Sequence, residues 1–139
     1  MPQEAVAKIH PREIELANLL KEFDLPWEIR TGDWFYANDT RHTVLAKEEQ
    51  DGRTFLCGVA GNRYLKDAVL WLPHRTYCLE WLMNKEWEVT VAEPKEGKIR
   101  ACAHRRKSEC RVEKAEPTEL AAIYSVLLEI LEMIHFGWA

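Results

Sequence analysis

Residues 117–136, PTELAAIYSVLLEILEMIHF, constrain this chain more than any other stretch. Leu120, Ile123, Tyr124, Leu127, Leu131 and Ile134 form an apolar face at helical spacing, and Val126, Leu128, Ile130 and Met133 widen it. A helix apolar over so much of its girth must be buried on more than one side, or meet a partner chain. The spacing therefore predicts a terminal helix and requires a substantial partner surface for it.

That surface has to come from the segments before it. Residues 11–23, PREIELANLLKEF, read as a first helix, with Pro11 suited to a first helical position and Pro26 closing the segment after it. Residues 73–85, PHRTYCLEWLMNK, read as a second. Between them lie GDWFYAND, RHTVLAKEEQ, RTFLCGVA and RYLKDAVLWLP, four runs of strand character. Asp51-Gly52 is a strong hairpin signal, and Gly61-Asn62 a weaker turn. After the second helix, WEVTVAE alternates with strand period, PKEG turns the chain, and KIRACAHR and ECRVEKA complete the pattern. The order α-ββββ-α-βββ-α predicts an α+β fold. In it an antiparallel sheet of about five to seven strands, meander plus hairpin, is packed by three helices in one domain over 1–139.

A chain of 139 residues, 47% hydrophobic and 30% charged, suits one soluble core. It holds no apolar run of the ~18–20 residues that would span a bilayer, and MPQEAVAKIHPREIE lacks a signal-peptide core. These features predict a cytoplasmic protein with Cys57, Cys78, Cys102 and Cys110 reduced.

The net charge of −4 is unevenly spread: residues 95–114 hold eight Lys/Arg against three Glu, a local +5 that leaves −9 elsewhere. Within this region ACAHRRKSECR places two cysteines and a histidine beside a run of cations. With a turn at Lys107-Ser108, Arg106 faces Glu109, His104 faces Arg111 and Cys102 faces Glu113. Ile99, Ala101, Ala103, Cys110 and Val112 then share the apolar side. A one-residue slip would put Glu109, Arg111 and Glu113 on that side, so this register is expected. It sends Cys102 and Cys110 to opposite faces and makes Cys110 a small core residue. Arg100, His104, Arg105, Arg106 and Lys107 remain as candidates for an anion site, against the plainer reading of a solvated face with cross-strand ion pairs. No basic recognition helix is present, which argues against sequence-specific DNA readout.

Other chemistry is weaker. His74 with Cys78 and Cys102 with His104 have chelating spacings, but no CxxC knuckle accompanies them, and no metal or other cofactor is expected. His42 with Asp33 or Asp39 imitates an acid/base pair, yet all three border turns. Cys57 and Cys78 lie in apolar-patterned segments, a poor setting for a nucleophile.

Read together, WEIRTGDWFY (27–36), LWLPHRTYCLEWL (70–82) and EPTELAAIYSVLLEIL (116–131) resemble small proteins encoded by bacteriophages and prophages. The resemblance covers under half of the chain. It implies an accessory protein that binds a host protein or a small nucleotide, and it carries no catalytic residue across.

The first expectation is thus a non-enzymatic binding or accessory protein acting through protein–protein contacts as a homo-oligomer, with Phe136 and Trp138 at the interface. The alternative is a binder of a small anionic ligand such as a nucleotide through residues 100–107. A second alternative is a Cys/His enzyme or zinc protein.

Overall fold

A computed structural model describes residues 9–23 and 25–137; Trp138 lies outside them. The described residues form an α+β fold with three helices and nine antiparallel strands. The strands are divided among three three-stranded sheets instead of sharing one. Two compact units result, the chain passing from one to the other between His74 and Arg75.

In the first unit, α1 (Pro11–Lys21) starts where expected, with Pro11 in its first turn and His10 Nδ1 accepting from the Arg12 N–H at 3.0 Å. Its buried side, Leu16, Ala17 and Leu20, includes the surface that packs on β6. The four expected strand runs are present, but two of them bend. RHTVLAKEEQ becomes β2 (Thr40–Thr43) and β3 (Ala46–Gln50). RYLKDAVLWLP becomes β5 (Arg63–Leu65) and β6 (Leu70–Leu72), separated by a 3-10 turn at Lys66–Ala68.

The bends let the meander close on itself. β1 (Trp34–Ala37) pairs with β2, whose continuation β3 pairs with β4 (Arg53–Cys57). β4 pairs with β5, whose continuation β6 returns to pair with β1. Closure of this kind hides edges that an open four-strand meander would expose. At the β2–β3 bend the Val44 N–H donates to Asp33 O and the Leu45 N–H to Cys57 O, both at 2.8 Å, so adjacent residues serve different sheets. Phe35, Val44, Leu56 and Val69 fill the interior, with Trp27, Ile29, Ala37 and Tyr64 packed around them.

Turn chemistry sets the registers. Asp51 and Gly52 both have positive φ (53° and 78°), as do Asn38 and Asp39 (52° and 62°) and Glu96 and Gly97 (53° and 77°). Two consecutive positive φ values mark the tight hairpin turn whose twist matches its strands.

In the second unit, α2 (Arg75–Asn84) is followed by β7 (Trp87–Val91), β8 (Ile99–Arg105), β9 (Arg111–Glu116) and α3 (Glu119–His135). Thr118 caps α3, its hydroxyl accepting from the Ala121 N–H at 3.0 Å. Residues 121–127 of α3 are all buried, and α3 packs on β8, β9 and α2. The girth of apolar residues is therefore covered, over these turns, within one chain. Ala101 and Ala103 of β8 and Ala121 and Ala122 of α3 are fully buried. Side chains this small allow a helix and a strand to approach closely.

Phe35→Ala is expected to cost about 3–5 kcal/mol, because Phe35 is fully buried at the centre of the closed meander. Ala103→Leu should cost about 1–3 kcal/mol by overpacking. Urea unfolding followed by circular dichroism checks both.

Candidate functional site

The basic hairpin takes the expected register: His104 pairs with Arg111, Ala103 with Val112, Cys102 with Glu113. Ala101, Ala103 and Val112 are buried. The turn differs. Residues 106–110 form a loop in which Lys107 has φ 62° and the Cys110 N–H donates to Ser108 Oγ at 2.9 Å. Lys-Ser does not favour a two-residue turn, and the chain opens instead. Cys110 is consequently half-buried in that loop and not a core residue.

The five residues named from the sequence as an anion site do not converge. Arg100 and His104 lie on the open face of the sheet; Arg105, by strand alternation, lies on the face of Ala101 and Ala103. Lys107 is exposed in the loop. Arg100 Nε is 3.5 Å from Glu113 and Arg106 Nε 3.0 Å from Glu88. Arg111 Nη2 donates to Cys102 Sγ at 3.1 Å. The open face is thus a mixed lattice of charge, and ion pairs this exposed contribute ~0–1 kcal/mol each.

The other sequence candidates have structural duties. His42 Nε2 donates to Ala37 O at 2.9 Å and its ring stacks on Phe35, centroids 5.2 Å apart. His74 Nε2 donates to Gly32 O at 2.9 Å, and its ring lies 3.9 Å from that of Trp34, over which Arg41 also sits. Asp39 accepts from the Tyr36 hydroxyl at 3.3 Å. Cys78 is fully buried in α2, and burial pushes its thiol well above the ordinary range. Burial and then the Glu48 carboxylate push the Cys57 thiol up as well. Among the described residues no three His, Cys, Asp or Glu side chains converge on a point that could hold a metal.

The first unit contains a better site, built around Asp33. One of its carboxylate oxygens accepts from both the Trp27 indole N–H and the Arg30 N–H, each at 2.9 Å. The Asp33 N–H returns to Arg30 O at 3.0 Å, closing the turn. Gly32 has φ +99°, a conformation that favours glycine, and its N–H donates to Val44 O at 2.8 Å. TGD thus fixes Trp27 to the strand framework. Trp27 then stacks on Trp71 of β6, centroids 5.3 Å apart and planes 6° from parallel.

This pair walls a cleft of about 320 Å³, lined also by Ala17, Leu20 and Leu25, by Val69 and Pro73, and by Lys21, Lys66 and Asp67. Lys66 Nζ lies 5.8 Å from the centroid of the Trp27 ring. In the sequence Trp71 sits in a patterned segment, as core tryptophans do, and Trp27 borders a helix, as a cap or partner contact does. The abundance of tryptophan is the signal present; that two residues far apart in sequence stack is decided by strand closure.

Asp33→Ala should cost about 1–3 kcal/mol and free the Trp27 ring, since it removes a charged acceptor shared by two donors; urea unfolding and the Trp fluorescence maximum measure both effects. Cys78 should resist a disulfide-exchange thiol reagent at pH 8 until the chain is unfolded. Its raised thiol favours the folded state while the unfolded thiol is protonated. That contribution fades as pH rises above the unfolded value of about 8.5.

Compared with known protein families, with curated proteins and with solved structures, the chain matches none.

Proposed function

We propose that this is a non-enzymatic binding protein whose working site is the Trp27–Trp71 cleft. The observation that carries the reading is the cleft itself: about 320 Å³, walled by two stacked indoles, floored by aliphatic side chains and rimmed by three charged groups. Small-molecule sites are concave and mostly apolar, with a few placed polar groups, and their volumes start at about 300 Å³. Binding is favoured over turnover because the described imidazoles of this unit have structural partners: His42 and His74 each donate Nε2 to a backbone carbonyl, and His10 Nδ1 accepts from the Arg12 N–H. An accessory role of the phage or prophage type remains compatible with this activity, and rests on the sequence motifs alone.

The test is titration with N-phenyl-1-naphthylamine, a neutral dye that fluoresces in apolar sites. Wild-type protein should enhance its emission with saturation in the micromolar range. Trp27→Ala, checked for folding by circular dichroism, should lose that saturable signal. Equal enhancement by both proteins would remove the cleft from consideration.

A second reading, self-association, draws support from the end of α3. Ile134 is 40% exposed and Phe136, outside the buried turns, 61% exposed. The Phe136 ring stands nearly perpendicular to that of the neighbouring His135, centroids 5.1 Å apart. If this apolar tip joins two copies, Phe136→Glu should convert a dimer to monomer by light scattering. A wild-type protein that scatters as a monomer at ~100 μM would exclude a dimer of micromolar strength.

A further inference from the structure

We infer that the cleft selects an amphipathic anion: a flat ring system of one or two fused rings bearing a single short acidic arm. This inference rests on the cleft being the binding site, and adds the chemical class of its ligand.

The ring follows from the walls. Trp27 and Trp71 present parallel indole surfaces, 6° apart in orientation, and Trp71 belongs to a strand of the closed meander. A flat aromatic body adds to an offset stack of this kind more favourably than a branched aliphatic one of equal area, because ring faces and edges carry opposite partial charge. Rigid ring walls also lose little freedom on binding. The size follows from the volume. About 320 Å³ lies at the small end for ligand clefts, enough for a fused bicycle and one substituent.

The charge follows from the rim. Lys21 and Lys66 stand against one acidic lining residue, Asp67. Lys66 is half-buried, with its ammonium over the Trp27 ring, so it is held at the cleft mouth. Two carbonyls at the end of α1 already have donors: the Glu22 N–H donates to Leu19 O at 3.2 Å and the Phe23 N–H to Leu20 O at 3.0 Å.

The preference is for one negative group and not for a polyanion. A second groove, of about 410 Å³, shares Trp27 and Lys66 with the cleft, and in it Arg30 and Lys47 are balanced by Glu28 and Glu49. Arg30 Nη2 is 3.8 Å from Glu28. An extended phosphate backbone leaving the cleft would meet no further excess of positive charge there. The chain's net charge of −4 points the same way.

The test holds the ring constant and varies the charge. The full chain is titrated by calorimetry with 2-naphthaleneacetate, 2-naphthaleneacetamide and 2-(2-naphthyl)ethylamine. The acetate should bind roughly fivefold tighter than the amide, with the amine weakest, as two partly screened ammonium groups dictate. Lys21→Met/Lys66→Met should bring the acetate to the affinity that the amide has for the same variant. Should the amide bind as well as the acetate, or the double variant keep the preference, the ligand class is wrong while the cleft stands. If none of the three binds wild-type protein, or Trp27→Ala binds them all undiminished, the cleft reading itself fails.

Discussion

One carboxylate organises the first unit. Asp33 accepts from the Trp27 indole and from the Arg30 backbone, while the Gly32 N–H donates to Val44 O and the Val44 N–H to Asp33 O. Val44 is where the chain leaves one sheet for the next. The same short loop therefore sets the sheet corner, and Gly32 O holds His74 at the end of the unit. Hydrogen bonds to a charged acceptor are stronger than neutral ones, and a shared acceptor couples its donors. Without it the Trp27 wall has no fixed place, and the cleft has one side.

The second unit depends on shape more than on charge. Four alanines at the level of β8 and α3 are fully buried, and Thr118 starts the helix at the right point to use them. On the opposite face of the sheet, Glu88, Glu113, Arg100, Arg106 and Arg111 spend their charge on one another or on Cys102. Part of a local excess of cations in sequence is thus met by carboxylates in space, Arg100 by Glu113 and Arg106 by Glu88. The reason is geometric: cross-strand neighbours lie about 5 Å apart, whichever residues precede and follow them in the chain.

The hairpin register was legible because alternation is strict: a slip of one residue moves every side chain to the other face, and only one register keeps Ala101, Ala103 and Val112 together. Helix positions were legible from apolar spacing and from Pro11, within about two residues of the observed bounds. The division of RHTVLAKEEQ into two strands was not. Nothing local distinguishes Thr43, bonded in one sheet, from Ala46, bonded in another, since both lie in an extended run. The bend exists because β1 and β4 approach the segment from different directions. Likewise Trp71 reads as a core tryptophan in LWLP, and only its juxtaposition with Trp27 makes it a wall.

The sequence by itself determined the element types, the tight turns and which face of each amphipathic strand is apolar, because those depend on residues within a few positions of one another. Tertiary structure alone decided that the meander closes, that Arg106 of the basic run meets Glu88, and that a tryptophan from the loop before β1 meets one from β6. Each of these joins residues far apart in the chain, and their meeting is fixed by packing and strand closure, which no local pattern encodes.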